Sequence, residues 1–454
     1  MVSKRKLESE DTMKKSSVEV IVENLENHPL CMHGPTLLFS NSKGRYFSCS
    51  SCRNKKGCTV HIAEEDWQNE NVKKRNEKYL NLMPKVDKIS AFATLSKVKS
   101  QKPMDRAYCV TCEEFYVPLK VKKHNKDHVT ISSLTDDQLS QPSSWLPALE
   151  NDSVEAQYMF SKKSVSVILQ TLKQNDIRNI LCIGTPSIHD GLQKSKGFQS
   201  ILMDIDKRYS QFNEANKFIY YNMFNNYFFN GCDDEELLDS FIKGASGSGL
   251  CIVMDPPFGG RVEPLAYTIK QLTEKYKLFC NEETLPVIWA FPYFSEPYIS
   301  NIMPELVMHD YQVEYENHGK FHSKNDKGRK FGSPVRLFTN LPLNSIRLGS
   351  DPKYKHCEKC KIFVAKTNQH CNKCGKCTSK NGMTYKHCKL CKKCVKPTFF
   401  HCTTCERCCQ EKDHVCGVAI TSQVILINFF LHFYTKLLKC LYHRNKIHLV
   451  FTYT

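Results

Sequence analysis

Leu250-Cys251-Ile252-Val253-Met254-Asp255-Pro256-Pro257-Phe258-Gly259-Gly260 reads as a short apolar strand that stops on an acid, two prolines and an aromatic ring. The run is apolar and rich in β-forming residues, so it reads as a strand of an α/β sheet. Proline fixes φ and lacks an N–H, so the ladder ends at the Pro-Pro pair. Asp255 and Phe258 therefore sit at the carboxyl end of the strand, where open α/β sheets place their ligands.

Two further strands are read upstream. Ile180-Leu181-Cys182-Ile183 runs into Gly184-Thr185-Pro186, and Ile201-Leu202-Met203 ends in Asp204-Ile205-Asp206. Glycine lets a backbone turn sharply close to a ligand. An acid at the end of the second strand accepts hydrogen bonds from ribose hydroxyls in nucleotide-binding α/β folds. On this reading Leu250–Met254 is the third strand, and Ile288-Trp289-Ala290-Phe291-Pro292-Tyr293-Phe294 the next, with aromatics at its mouth or in the core. Strands alternate with helical stretches over 153–350, which predicts an α/β, Rossmann-like domain. The full G-x-G-x-x-G is missing, which argues against a nicotinamide site.

The 24 cysteines are unevenly spread, thirteen of them between Cys357 and Cys416. Met1-Val2-Ser3-Lys4-Arg5-Lys6 is charged with no apolar stretch behind it, so no secretory signal is expected. Without secretion, Cys grouped with His reads as zinc rather than as a disulfide framework. Cys109-x2-Cys112 followed by His124-x3-His128 has two-Cys two-His spacing. Cys31-x-His33 precedes Cys49, Cys52 and Cys58, and spacing alone allows Cys52 in place of either neighbour. Downstream, a local repeat runs Cys357-x2-Cys360, then His370-Cys371-x2-Cys374-x2-Cys377 and His387-Cys388-x2-Cys391-x2-Cys394. It ends in His401-Cys402-x2-Cys405-x2-Cys408. Adjacent copies are expected to interleave, three Cys and one His per ion.

Further segments carry a family likeness: Gln157-Tyr158-Met159-Phe160, Tyr209-Ser210-Gln211-Phe212 and Asn222-Met223-Phe224-Asn225. With Asp255-Pro256-Pro257-Phe258 they resemble the [Asp/Asn]-Pro-Pro-[Phe/Tyr/Trp] amino-methyltransferases of nucleic acids. The closer resemblance is to the CCHC zinc-finger rRNA N6-adenosine methyltransferases. It implies a class I S-adenosylmethionine-dependent methyltransferase domain with small zinc-binding modules on both sides. The cofactors implied are S-adenosyl-L-methionine and several structural zinc ions. The activity implied is N6-methylation of adenosine in RNA, most closely large-subunit ribosomal RNA. Asp255 and a neighbouring backbone carbonyl would accept the two amine hydrogens of the target base, with Phe258 stacked on it. Gln157, Tyr158, Met159, Phe160, Ile183, Gly184, Thr185, Asp204, Asp206, Met223, Phe224 and Asn225 are the implied cofactor residues, with Asn222–Asn225 at the adenine ring. The first Cys/His segment resembles a GRF zinc finger, which implies the ligand set Cys31, His33, Cys49 and Cys58.

The domain organisation read this way is a disordered basic terminus (1–24), the GRF-type finger (25–67) and a linker (68–104). The two-Cys two-His finger (105–130) and a second linker (131–152) follow. The methyltransferase domain (153–350) and the multi-zinc array (352–417) come next. A divergent tail (418–454) shows no clean copy of the family's terminal zinc knuckle. In that tail, Val418–Thr435 is short for a membrane helix and is broken by Ser422, Gln423, Asn428 and His432, so no membrane is expected. Lys and Arg outnumber Asp and Glu by 64 to 47, favouring a polyanionic partner such as RNA. Nucleus, nucleolus and cytoplasm are the expected locations. The zinc modules are expected to grip the RNA and the α/β domain alone to bind cofactor. The competing readings are a non-catalytic zinc-finger RNA-binding protein, or an amino-methyltransferase acting on DNA adenine or on cytosine N4.

Overall fold

The structure, a computed structural model, describes residues 18–51, 57–68, 70–116, 127–149, 157–317, 333–410, 414 and 416. The described residues divide into two compact units, one from Val18 to Tyr385 and a second that begins at Lys386. Of the second unit, residues 386–410, 414 and 416 are described.

An eight-stranded sheet organises the first unit. Its strands are β1 (Asn179–Ile183), β2 (Gln199–Asp204), β3 (Phe218–Asn222), β4 (Tyr227–Phe228), β5 (Leu250–Met254), β6 (Val287–Pro292), β7 (Val307–His309) and β8 (Val335–Thr339). Their spatial order is β4-β3-β2-β1-β5-β6-β8-β7. Strands β3, β2, β1, β5 and β6 are parallel, while β4, β7 and β8 pair antiparallel. The strand order reverses between β1 and β5, and Ile183 lies opposite Met254 there. That seam is the topological switch point, where ligands of such sheets bind.

Alternation explains why these strands are apolar throughout. Ile180, Cys182, Leu202, Cys251 and Val253 pack into one core with Ile168, Leu172, Ile188 and Leu192 of the helices Lys162–Gln174 and Pro186–Lys194. Leu181, Ile183, Ile201, Met203, Ile252 and Met254 pack into the other with Leu238, Ile242, Leu265 and Ile269 of the helices Cys232–Gly244 and Val262–Cys280. Leu250–Met254 is a strand, as read, and covered on both faces, but it is the fifth strand of the sheet along the chain rather than the third. Phe218–Asn222 is a full strand of the sheet, and Tyr227–Phe228 returns against its end.

Both segments read as linkers are part of the packed unit. Residues Glu70–Leu82 and Lys88–Lys99 are helices. Leu95 and Val98 of the second join the first core, and Lys88 Nζ reaches Asp234 at 2.5 Å. In the second segment, Leu134, Leu139 and Leu146 are buried in the same core, and Ser143 donates from N and Oγ to Asp190 Oδ2 at 3.0 and 2.6 Å. Arg106 ties the connectors together through Asp136 Oδ1 (2.6 Å), Lys99 O and Gln101 O.

The amino-terminal finger is a four-stranded sheet, Glu19–Ile21, Leu37–Asn41, Gly44–Ser48 and His61–Ala63. Downstream, short hairpins follow one another, the first Tyr354–Cys357 with Ile362–Ala365 and the last Phe399–Cys402 with Arg407–Gln410. After Cys109-x2-Cys112, Cys357-x2-Cys360, Cys371-x2-Cys374, Cys388-x2-Cys391 and Cys402-x2-Cys405 the next residue adopts positive φ: Glu113, Lys361, Gly375, Lys392 and Glu406. Four of these five are not glycine, and the left-handed turn costs each of those about 1 kcal/mol. The tight loop brings both sulfurs to one side, as a shared metal requires.

Candidate active site

Gly184 follows β1 and Asp255 follows β5, facing each other across the switch point. Asp255 N donates to Ile183 O at 3.3 Å, and Gly184 N to Met203 O at 3.0 Å. Gly184 has φ +62°, and a Cβ there would stand 2.6 Å from Met223 Cε and 3.5 Å from Asp255 O. Glycine is needed here for both conformation and space.

A cavity of about 300 Å³ opens at this seam. Among the residues expected around the cofactor, Gln157, Tyr158, Met159, Gly184, Asp204, Met223 and Phe224 line it, as do Asp255, Pro256, Pro257 and Phe258. Phe160, Ile183, Thr185, Asp206 and Asn225 are not on its wall, and each is engaged elsewhere. Phe160 stacks on Tyr315 with ring centroids 5.3 Å apart. Ile183 is in the sheet core, and Thr185 Oγ1 donates to Val253 O at 3.2 Å. Asn225 Nδ2 donates to His33 O at 3.0 Å and Pro35 O at 2.7 Å. Asn222, expected at the adenine ring, does line the cavity, but its Nδ2 is donated to His33 O (2.7 Å) and Ser50 Oγ (3.0 Å). Trp289 and Phe291 are buried in the core.

The two acids at the end of β2 have separate environments. Asp206 forms a buried bidentate pair with Arg208, at 2.8 Å to Nε and 2.7 Å to Nη2, and accepts from Gln157 Nε2 at 3.1 Å. Asp204 lines the cavity, and its carboxyl is pushed up to about 7, chiefly by burial and further by the neighbouring Asp206 charge. A ligand offering hydroxyl donors would relieve that cost, so Asp204 suits a ribose. Asp204→Asn is expected to weaken S-adenosylmethionine binding by roughly one to two orders of magnitude, as a lost charge-assisted bond of ~1.5–3 kcal/mol does. Asp206→Asn instead leaves Arg208 buried without its charge partner, a change of about 3–5 kcal/mol in related cases. Its main effect is expected in the melting temperature. Titration calorimetry and thermal melts of both variants check this division. Equal effects of the two on cofactor affinity would refute it.

Asp255 keeps some solvent contact as a residue, yet its carboxyl group is enclosed, and burial pushes it well above the usual carboxylate range. Tyr315 opposes that shift by donating its hydroxyl to Asp255 Oδ1 at 3.0 Å. Burial, and then the Asp255 charge, keep the Tyr315 phenol itself protonated as the donor. The bond occupies one carboxylate oxygen and leaves the other for a ligand. Around it Tyr158 stacks on Phe258 at 5.4 Å, and Tyr315 meets Phe258 edge-on at 5.9 Å. Tyr315 was not among the residues expected from sequence; it arrives through an isolated bridge to Phe160.

With Tyr315 donating to one oxygen, only the ionised form of Asp255 offers the other as a pure acceptor, so an activity that uses it should fall as pH drops through its raised pKa. The acid limb of kcat/KM is expected above an ordinary aspartate value of about 3.9. Tyr315→Phe removes the stabilising donor, raises the pKa further, and should move that limb to still higher pH. A pH profile of kcat/KM for the two proteins is the measurement, and coincident limbs would exclude the coupling.

The Cys/His sets suit zinc. In the finger, the ligand atoms of Cys31, His33, Cys49 and Cys58 all lie within 4.8 Å of one another. The Cys31 and Cys49 sulfurs are 3.8 Å apart, matching the ~3.8 Å edge of a tetrahedron with Zn–S bonds near 2.3 Å. Cys109 and Cys112 place their sulfurs 3.7 and 3.2 Å from His128 Nδ1; His124 lies outside the described residues. In the array, Cys357, Cys360, His370 and Cys377 form one set within the first unit. The second unit holds Cys388, Cys391, His401 and Cys408, and also Cys402, Cys405, His414 and Cys416. Three Cys and one His per ion is the interleaving expected, but the last Cys-x2-Cys pairs forward with His414 and Cys416, which the repeat had not suggested.

A switch-point cavity with an acid-Pro-Pro-aromatic turn and a strand-end acid defines an S-adenosylmethionine-dependent amino-methyltransferase domain. Residues 151–341 match the family model described as probable N6-adenine methyltransferase. The chain is 38% identical to the human rRNA N(6)-adenosine-methyltransferase ZCCHC4 over 375 residues, 78% of this chain and 72% of that protein. It is 38% identical to the Xenopus tropicalis protein of the same name over 367 residues, 77% and 74% of the two chains. Against the mouse protein the identity is 37% over 366 residues, 76% and 70%. The chain belongs to the rRNA N(6)-adenosine-methyltransferase ZCCHC4 family.

Proposed function

We propose that this protein methylates N6 of an adenosine in large-subunit ribosomal RNA. The observation that carries the reading is Asp255, held by Tyr315 beside the cavity that Asp204 also lines. S-adenosylmethionine, when bound, supplies the electrophilic methyl group. The free oxygen of Asp255 accepts one amine hydrogen of the adenine, and the backbone carbonyl of Pro256 accepts the other. Both contacts draw the nitrogen lone pair out of conjugation and towards the methyl donor. Phe258, backed by Tyr158, gives the flipped base an aromatic surface. Asp204 takes the ribose hydroxyls of the cofactor. The zinc sets do no chemistry; they hold the finger and the lysine-rich hairpins in shape for RNA phosphates. Nuclear, nucleolar and cytoplasmic residence is part of the same proposal. Among the described residues no helix is long and apolar enough to cross a membrane.

The test is quantitative mass spectrometry of nucleosides from separated large- and small-subunit rRNA, in cells with and without the protein. Loss of N6-methyladenosine from the large-subunit RNA alone is expected. Unchanged levels there would overturn the proposal, and loss from the small-subunit RNA alone would reassign the substrate.

A further inference from the structure

Next to the cavity at the switch point lies a second one, of about 420 Å³, between the amino-terminal finger and the turn that leads from Pro257 into the helix Val262–Cys280. The two cavities share Ser51, Phe224 and Pro257 as walls. Its size falls within the range of sites that bind small organic ligands, ~300–1,000 Å³.

Two polar atoms on its wall, Ser51 Oγ and Arg261 Nε, are buried without a hydrogen-bond partner. Arg261 is fixed in place, because its Nη2 donates to Val18 O and to Glu263 Oε1. Arg261 is also the N-cap of the 19-residue helix Val262–Cys280, with no side-chain cap bond, and a helix start favours negative charge. The floor is backbone: a Cβ at Gly260 would come within 2.7 Å of Phe224 and 3.1 Å of Pro257 O. Phe39 and Tyr46 supply aromatic surface on the finger side.

Aromatic rings, a hydroxyl, a fixed guanidinium and a helix start together match a base, its sugar and a phosphate. We infer that this cavity holds the nucleotide next to the methylated adenosine in the same RNA strand, so that the finger reads sequence context at the active site. The inference rests on the proposed function, in which the first cavity takes the target adenosine at Asp255 and Phe258 as well as the cofactor at Asp204. A strand that delivers its adenosine past Ser51 and Phe224 must lay a neighbouring nucleotide against the other side of those same residues.

The experiment uses the full-length protein and an rRNA fragment spanning the methylated adenosine, with an abasic nucleotide placed on one side or the other of that adenosine. Loss of the base on one side should lower kcat/KM by about tenfold, the scale of one stacked base, and loss on the other side by much less. Ser48→Phe, which fills the cavity from the finger strand, should lower kcat/KM on the intact fragment by a similar factor and abolish the sensitivity to the abasic neighbour. Zinc content and S-adenosylmethionine affinity are measured on the same variant to show that the finger is intact. Equal rates with both abasic fragments and the intact one would overturn the inference, whatever the variant does. So would full discrimination by a zinc-loaded Ser48→Phe protein. If the unaltered protein methylates no adenosine in the fragment, the proposed function falls and takes this inference with it. If it methylates without regard to neighbours, only this inference falls.

Discussion

Asp255→Ala should abolish methyl transfer, lowering kcat by about three orders of magnitude, while leaving S-adenosylmethionine affinity within a few-fold of the parent. The size follows from removing a preorganised group whose interaction develops in the transition state, typically a factor of 10²–10⁴. The cofactor is spared because Asp255 keeps its place through its main chain: its N–H donates to Ile183 O, and the two prolines fix the turn. Nothing in that geometry needs the carboxylate. Stability should move the opposite way for Asp255→Asn. Burial disfavours the Asp255 charge, and the amide can still accept from Tyr315, so the variant is expected to melt a few degrees higher than the parent. A more stable but inactive protein is what a site that gives up stability for chemistry produces. Single-turnover methylation, calorimetry and a thermal melt test the three statements separately. Appreciable turnover by folded Asp255→Ala would remove Asp255 from the mechanism.

The parts of this fold that were legible from sequence are those whose local pattern has one physical solution. Leu250–Met254 is apolar throughout because Cys251 and Val253 face one core while Ile252 and Met254 face the other. No other element needs that pattern at that length. Phe218–Asn222 was harder, since Tyr220, Tyr221 and Asn222 dilute the apolar run, and the strand is recognisable only once it pairs with β2. Leu134, Leu139 and Leu146 are widely spaced among Ser, Asp and Pro, with no period to mark them, so a packed segment looked like a linker.

The site shows the same split. Gly184, Asp204 and Asp255 sit at strand ends and could be placed from the strands alone. Asp204 and Asp206 could not be told apart by spacing, although Arg208, two residues beyond Asp206, was the available signal for the ion pair. Tyr315 is 60 residues from Asp255 and lies outside any regular strand, so no local pattern announces it. Asn222 and Asn225 carried a family likeness, but their contact with the carbonyl of His33 on another module had no signal in the local sequence. His414 and Cys416 were hidden because the last Cys-x2-Cys breaks the spacing of the earlier copies.

Zinc in the amino-terminal finger should control cofactor binding, contrary to the expectation that the α/β domain binds cofactor alone. Cys49→Ser is expected to lower S-adenosylmethionine affinity at least tenfold in the full-length protein. The path runs through one residue. The His33 ring belongs to the metal set, and its carbonyl accepts from both Asn222 and Asn225. His33 and Ser51 also line the cofactor cavity, alongside Asn222 at the end of β3. The joint is tight: Gly34 has φ +92°, and a Cβ there would stand 2.7 Å from the Tyr227 ring. When the metal set fails, the Cys31–Gly34 loop is released, and two buried amides each lose one of their two acceptors, leaving an N–H unpaired at about 1–3 kcal/mol each. A wall of the cavity goes with them. Asn225→Ala, which cuts the same link from the other side without touching a metal ligand, should reproduce part of the loss. Because both changes act through one contact, their combination should cost less than the sum of the two. As a control, Cys391→Ser removes a ligand in the separate carboxy-terminal unit and should leave cofactor affinity unchanged. Metal analysis confirms which ion is lost in each variant, and calorimetry reads the affinity. Full cofactor affinity in a folded Cys49→Ser protein that has lost that zinc would show that the finger is only an RNA-facing appendage.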